Sequence, residues 1–349
     1  LEEDVSKWDK ILQQFIELNE ENDFTDAQFD IKILNQVTDL LYPPNISKIK
    51  HRENIQGQDR RLVLKTMICL MKNRHLFCQI YEGFDTMEKL LMTIDTFVIM
   101  ENVALALTFI QHVIHFTEDN EKEAEEDNKY LFVKYGGIEF LINLLNTLEG
   151  TNQGSEQIYH SIIDILESYF VTRKQSTSLQ VSKRVIIVIQ NQFTPLLNVL
   201  HHKNLEIRSR MCHFIKHFSY LVIDTTTIDD QFRTSGELLW QIKMILNDYD
   251  DTSIREQTRR LSQLMLSLFC KKSAENRTYV QQLLPPPVYA WLQPTNDKLQ
   301  WKIFIENLFN NYNEPRLIWN YKTRAELRDK VNRQIDTISF NQEGEDYFI

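Results

Sequence analysis

The sequence predicts an all-α fold in which helices stack on one another along the chain. Apolar residues recur every three or four positions over most of the 349 residues, as expected of helices that each bury one stripe. Glycine and proline, which interrupt helices, number only eight each. Val185 to Ile189 is rich in β-branched residues, but its helical neighbours favour a buried helix over a strand. Three of the apolar stripes are Ile158, Ile162, Ile165 and Tyr169; Met211, Phe214, Ile215, Phe218 and Leu221; and Ile254, Leu261, Leu264, Met265 and Leu268.

The first element in chain order is an N-terminal helical segment, residues 1–44. It ends at Pro43 and Pro44, which cannot continue a helix, so we interpret it as a cap or as a preceding repeat. Because Leu1 is not an initiator methionine, we expect the chain to be a piece of a longer protein. The sequence shows no secretory leader.

Two later segments resemble each other, which indicates internal repeats. Residues 83–91 align with residues 137–145, each running from a glycine to paired leucines, and a longer helix is predicted to follow near Asn102 and near Ser155. A looser third copy covers residues 193–200, with the next helix opening at 204–208. These segments resemble armadillo-type repeats. The resemblance implies an irregular armadillo/HEAT-like right-handed helical solenoid over residues 45–284.

An acidic insert lengthens one of these repeats. The two glycines are 54 positions apart (137 minus 83), whereas armadillo and HEAT periods are about 40 to 47 residues. Residues 118–127 are almost all acidic or polar, so we predict an acidic loop over 118–128 that stays in solvent.

Three prolines, at positions 285–287, divide off a C-terminal helical segment, residues 285–349. We predict one helix there around residues 301–311 and a last helix from Thr323 to about Ile338. Between them, Pro315 enforces an extended entry and Leu317, Ile318 and Trp319 form an apolar plug. Thr323 and Glu326 have the spacing of a capping box that opens the last helix.

Composition narrows the class of function. The formal charge of −10 and the scattered basic residues disfavour a surface for nucleic acid or anionic membrane. No apolar run reaches about eighteen residues, so no direct membrane insertion is expected. Cys69, Cys78, Cys212 and Cys270 lack the close spacing of a disulfide framework or zinc site, and we expect reduced thiols.

Catalytic motifs are missing from the sequence. The eight glycines never form a phosphate-binding loop, and no Gly-x-Ser-x-Gly elbow is present. His213 and His217 are four apart beside Cys212, but Phe214 replaces the glutamate of a zinc protease and marks the helix as a core element. We therefore expect ordinary histidines, no metal, no cofactor and no enzymatic activity. An enzyme with a cryptic site is the weakest alternative.

The tail sequence from Pro315 to Arg328 resembles the Ile-Trp-Asn repeat of the receptor-mediated endocytosis protein 8 family, also called DnaJ homologue subfamily C member 13. The resemblance covers about residues 283–338. Members of that family are large endosomal co-chaperones with armadillo-like regions and a J domain, and the His-Pro-Asp triplet of a J domain is absent here. The positions of this chain that carry the motif are Pro315, Leu317, Ile318, Trp319, Asn320, Thr323, Arg324, Glu326 and Leu327.

The resemblance implies a noncatalytic scaffold segment, cytoplasmic and peripheral on early endosomes, acting in endocytic trafficking, clathrin dynamics and retromer-linked retrograde sorting. The implied partners are a seventy-kilodalton heat-shock chaperone, bound through a J domain outside this chain, sorting nexins of the retromer pathway and the WASH complex. We expect Trp319 and its neighbours to cap the exposed apolar end of the solenoid, with a partner-binding plug as the alternative. The alternative for the whole chain is a free-standing armadillo-type adaptor or regulatory subunit that binds peptide segments.

Overall fold

The computed structural model describes residues 2–21, 27, 29–41, 60–80, 87–88, 90–91, 99–115, 122–149, 156–170, 179–246, 252–286 and 321–345. These residues form α-helices and one short 3-10 helix, and they contain no strand. The predicted all-α class is therefore confirmed for the described part of the chain. Two compact units are present, Leu1–Ile189 and Gln190–Ile349.

The first unit contains eight described helices and most of a ninth. In it, α1 and α2 pack against α3, α3 against α5, and α5 against α8, while α4 and α6 pack against each other. The bounds are α1 (Glu2–Glu21), α2 (Ile31–Leu41), α3 (Arg61–Met71), α4 (Arg74–Gln79), α5 (Met100–Ile114), α6 (Lys122–Lys134), α7 (Gly137–Glu149), α8 (Glu156–Ser168) and α9 (Leu179–Asn191).

The second unit begins at the end of α9. Here α11 packs against α14, α13 against α12, α14 and α16, and α15 against α14 and α16. The bounds are α10 (Thr194–Asn198), a 3-10 turn (Val199–His201), α11 (Leu205–Leu221), α12 (Thr226–Thr234), α13 (Glu237–Leu246), α14 (Thr252–Lys272), α15 (Ala274–Leu283) and α16 (Tyr321–Glu345).

Polar side chains fix where several helices begin. Asn73 Oδ1 accepts from the Leu76 amide at 3.0 Å, Asn204 Oδ1 from Glu206 at 2.8 Å and Ser273 Oγ from Asn276 at 3.1 Å, so each satisfies an otherwise unpaired N–H of a first turn.

Left-handed glycines precede two further helices. Gly136 has φ 80° before α7 and Gly236 has φ 82° before α13, a region that favours glycine. Gly137, the glycine of the predicted repeat, is the first residue of α7. A Cβ at that position would lie 2.5 Å from the Phe132 ring.

In each unit, one pair of neighbouring long helices lies parallel. At the start of α3 and α5, Arg61 Nη1 lies 3.2 Å from Glu101 Oε2. Near their ends, burial together with the nearby charge of Lys72 lowers the pKa of His112. In the second unit Arg208 Nη2 donates to Thr258 Oγ1 at 3.4 Å near the start of α11 and α14. Near their ends Lys272 Nζ donates to the Ser219 carbonyl at 2.9 Å. Parallel neighbours must be joined by a chain segment that returns, which here contains the shorter helices.

Four side-chain amides bridge those shorter segments to the chain about one repeat earlier. Each amide nitrogen donates to a main-chain carbonyl, which satisfies a buried or half-buried acceptor. The separations are 46, 51, 41 and 47 residues. The bonds run from Asn73 to Ala27 at 2.8 Å, Asn128 to Phe77 at 3.3 Å, Gln231 to Gln190 at 2.9 Å and Asn276 to Asp229 at 3.3 Å.

Several predicted helices are confirmed. α5 begins at Met100 and α8 at Glu156, close to the predicted starts near Asn102 and Ser155. α11 begins at Leu205, within the predicted 204–208, and the structure adds Asn204 as its cap; residues 185–189 lie inside α9.

The predicted acidic loop over 118–128 is wrong in its second half, because α6 begins at Lys122. Residues 116–121 lie outside the described part of the chain. Glutamate, alanine and lysine are strong helix formers, and Lys129 Nζ lies 2.5 Å from Glu125 Oε1, one helical turn away. Burial opposes ionisation of Glu125, but the His115 ring, whose Nδ1 lies 3.6 Å from Oε1, and the hydrogen bond from Lys129 outweigh it and hold its pKa below the usual value. Paired charges therefore allow the acidic segment to pack as a helix.

The last helix is longer than predicted and starts earlier, at Tyr321 instead of Thr323. It packs against α13 and α15, so it belongs to the second unit. The predicted boundaries after residues 44 and 284 adjoin ranges outside the described residues and stay predictions. The division that the structure shows lies between Ile189 and Gln190.

Candidate functional site

The core of the tail motif lies outside the described residues. This holds for Pro315, Leu317, Ile318, Trp319 and Asn320, and for the predicted helix around 301–311. The choice between a solenoid cap and a partner-binding plug therefore stays a prediction.

The last four motif residues lie in the first turns of α16. Leu327 is buried and begins a stripe that continues with Val331 and Ile335 on the same helical face. Arg324 is half-buried. These positions anchor α16, so Leu327 has a packing role.

The predicted capping box is not formed as expected, because Thr323 is the third residue of α16 and its side chain is buried. Glu326 is exposed and its carboxylate lies 4.0 Å from Lys322 Nζ, one turn earlier. The sequence pattern was correct for a helix start but misplaced it by two residues, within the usual uncertainty of helix ends.

A buried carboxylate joins the 3-10 turn to the start of α13. Glu237 is only 1% exposed; its Oε2 lies 2.5 Å from His201 Nε2, and its Oε1 accepts from the Gln241 side chain. The His201 ring packs on Trp240 with 4.6 Å between centroids, and Lys243 Nζ lies 4.6 Å from the same indole. Both carboxylate oxygens are thus occupied by structural partners. Sequence reasoning missed this cluster because its two ends are 36 residues apart.

The buried thiols do not have the properties of nucleophiles. Burial raises the pKa of Cys212 and of Cys270 to about 12, so both thiols stay protonated at neutral pH. All four cysteines are free, as predicted.

Asp229 is the carboxylate with the most perturbed ionisation that the structure describes. Burial raises its pKa to about 6, although Thr225 Oγ1 donates to its Oδ2 at 2.9 Å and lowers the value. Asn276 bonds to its main-chain oxygen at 3.3 Å and locks it against α15. The surroundings explain the shift as a packing effect.

His213 and His217 lie on the exposed side of α11. His213 Nδ1 is 2.7 Å from the Ser209 carbonyl, which directs Nε2 to solvent. Within the described ranges, no group of three or more histidine, cysteine, aspartate or glutamate side chains is placed to hold a metal ion.

These histidines belong to a larger surface, the outward face of α11. Successive helix positions rotate by about 100°, so the residues of this face fall within an arc of about 120° centred on His213. All are exposed or half-buried, whereas the opposite side of α11 is buried. The outward face consists of Glu206, Ser209, Arg210, His213, Lys216, His217 and Tyr220.

This face is basic and aromatic in a chain of net charge −10. Glu206 is its one acidic member, and it lies in the first turn of α11, where the helix dipole favours a carboxylate. Among the described residues we therefore take the outward face of α11 as the candidate functional site. From the sequence, His213 and His217 were considered only as possible metal ligands. The surface to which they belong was therefore not predicted.

Comparison with known protein families, curated proteins and solved structures finds no match to this chain. Of the helices whose placement is described, none is long and apolar enough to cross a bilayer.

Proposed function

We propose that this chain is a noncatalytic scaffold segment of an endosomal J-domain co-chaperone of the receptor-mediated endocytosis protein 8 family. It would act in endocytic trafficking, clathrin dynamics and retromer-linked retrograde sorting. The sequence from Pro315 to Arg328 supports this assignment through its resemblance to the Ile-Trp-Asn repeat of that family. The all-α fold of the described residues is compatible with the armadillo-like regions of the family.

The observation that carries the scaffold proposal is the register of the helices. Four amide bridges join positions 41 to 51 residues apart, close to the period of about 40 to 47 residues of armadillo and HEAT repeats. Parallel long helices within each unit fit the same repeat. Together they support an irregular armadillo/HEAT-like solenoid, in which each repeat stabilises its neighbours and one layer of helices presents a surface.

A noncatalytic role is supported by the use that the structure makes of its buried ionisable groups. Glu237 bonds to His201 and Gln241, and Asp229 accepts from Thr225. These contacts join helices or fix where helices begin, so these ionisable groups have a structural role, as expected of a scaffold.

The proposed location is the cytoplasmic surface of early endosomes. Sorting nexins, retromer and the WASH complex are the proposed protein partners, and the heat-shock chaperone would bind a J domain elsewhere in the parent protein. Neither nucleic acid nor an inserted membrane segment has a part in the proposal.

Expression of the chain as a fluorescent fusion in cultured cells tests this function. We expect colocalisation with an early-endosome marker and recovery of a sorting nexin on the purified fusion, with the fluorescent protein alone as control. A diffuse distribution, with no sorting nexin recovered beyond the control, would contradict the proposal.

A free-standing armadillo-type adaptor is the second candidate, and the outward face of α11 favours a protein-binding role in either case. The complete reading frame separates the two. Further Ile-Trp-Asn repeats and a His-Pro-Asp J domain are expected only for the co-chaperone.

A further inference from the structure

The outward face of α11 combines positive charge with exposed apolar surface. Its described cationic side chains include Arg210 and Lys216, with His213 and His217 between them. Glu206 in the first turn is the one acidic residue of α11, and the exposed Asp224 beyond its end accepts a hydrogen bond from the Thr226 amide. When cationic side chains of an acidic protein lie together on one helix face, the electrostatic potential at that face is opposite in sign to the net charge.

The C-terminal end of α14 extends this positive surface. Lys272 Nζ donates to the Ser219 carbonyl at 2.9 Å, which places Lys271 and Lys272 beside the last turn of α11. Lysines there also complement the negative end of the helix dipole. The positive surface therefore spans two neighbouring helices of one unit.

Apolar side chains lie next to these lysines in solvent. Tyr220 is 63% exposed, Leu221 43% and Ile223 103%, whereas Val222 between them is 5% exposed and turns inward. Single exposed apolar residues are common, but three within four positions form a patch of the kind that marks interaction sites. Covering such side chains removes apolar surface from water, which favours binding.

We infer that the outward face of α11, with Lys271, Lys272 and Ile223, binds an acidic segment of a partner protein that carries an apolar anchor. Carboxylates of the segment pair with Lys216 and Lys271, and the anchor covers Tyr220 and Ile223. This inference deepens the proposed scaffold function and rests on it.

An acidic peptide fits better than nucleic acid. Binding to a phosphate backbone gains affinity from many cationic contacts along a continuous track, and the overall charge of −10 repels a long polyanion. A short acidic segment contacts only the local positive surface. The apolar residues also have no counterpart in a phosphate backbone.

Fluorescence anisotropy tests the inference with a labelled probe peptide in which aspartates and glutamates flank a central leucine and phenylalanine. Two comparison peptides replace either the acidic residues by lysine or the apolar pair by serine. We expect the chain to bind the probe, and both comparison peptides at least about tenfold more weakly, a difference of about 1.4 kcal/mol.

Two variants locate the contact, Lys216→Glu with Lys271→Glu, and Ile223→Ser. Each should weaken probe binding at least about tenfold. Lys65→Glu and Ile187→Ser are matched controls, since both side chains are exposed elsewhere, on α3 and α9. Circular dichroism and thermal melting verify that all variants keep the helical fold.

Absence of probe binding, or equal affinity of the variants and the controls, would overturn the inference. Displacement of the probe by duplex DNA or by phosphatidylserine vesicles as readily as by unlabelled peptide would identify a general polyanion surface and also overturn it. Self-association of the chain that Lys216→Glu with Lys271→Glu abolishes would show a second copy as the occupant and would likewise overturn it. Failure of this inference leaves endosomal colocalisation unchanged, whereas failure of the proposed function removes colocalisation with probe binding intact.

Discussion

His201 Nε2 lies 2.5 Å from Glu237 Oε2, and this contact ties the 3-10 turn before α11 to the first turn of α13. Glu237 is 1% exposed, so its carboxylate depends on protein partners in place of water. The remaining partner of the carboxylate is Gln241.

Replacing His201 by alanine should therefore lower the free energy of unfolding by about 2 kcal/mol, because it leaves a buried acceptor unpaired. Chemical denaturation monitored by circular dichroism measures the loss. The control His217→Ala removes an exposed histidine and should change stability by less than about 0.5 kcal/mol. Equal losses in the two variants would show that the bond to Glu237 contributes nothing specific.

The raised pKa of Asp229 predicts how the free energy of unfolding changes with pH. Burial raises this pKa from 3.8 to about 6, so between about pH 4 and pH 6 the folded state retains a proton that the unfolded state has lost. The contribution of Asp229 to stability therefore falls as pH rises through this window, by about 2 kcal/mol. Asp229→Asn should remove that fall.

Chemical denaturation of Asp229→Asn and of the parent protein at a series of pH values measures this change in the free energy of unfolding. The variant should gain stability relative to the parent on going from pH 4 to pH 7. Asp230→Asn is the neighbouring control, because Asp230 is exposed and pairs with Arg233 at 2.7 Å. A constant difference between Asp229→Asn and the parent across the series would refute the assignment.

Gly136 and Gly236 form a matched pair for a glycine test. Alanine is strained at both, by about 1 kcal/mol, because φ is 80° and 82°. At Gly236 the new Cβ would also lie 3.2 Å from Ile338 Cδ1, whereas at Gly136 the nearest atom is Glu139 Oε2 at 3.9 Å. Gly236→Ala should therefore lower the melting temperature more than Gly136→Ala, and Ile338→Val should reduce the difference. Equal melting temperatures for the two alanine variants would show that α16 moves away from the new Cβ with no loss of stability.

Trp319 tests the two roles suggested for the tail motif. If it caps the apolar end of the solenoid, Trp319→Ala should lower the free energy of unfolding by on the order of 3 kcal/mol. Thermal melting of the variant gives the answer. Unchanged melting together with loss of a bound sorting nexin would favour the partner-binding plug instead.

Periodicity predicted the helices because it reports which side of a segment is buried. Ile158, Ile162 and Ile165 all lie on the buried side of α8, as their spacing indicates. The start of α11 within residues 204–208 was likewise predicted, since the signal for a helix start is local.

What the sequence did not reveal depends on contacts between distant segments. The pairing of Glu125 with His115 and Lys129 allowed the acidic segment to fold as α6, whereas composition alone favoured a solvated loop. The outward face of α11 was equally hidden, because exposure is known only once the packing of α11 against α14 is known. The tail motif resembles a known family, and this resemblance gave the functional expectation. The central residues of the motif lie outside the described ranges.

The four amide bridges have a consequence for how the chain acquires its structure. Each closes a loop of only 41 to 51 residues, so the entropy lost on closure is small compared with that of pairing the two ends of the polypeptide. Low contact order of this kind accompanies rapid folding. One pair of helices can thus fold on the ribosome before the next pair has been synthesised. Each folded pair then provides the surface on which the next pair packs.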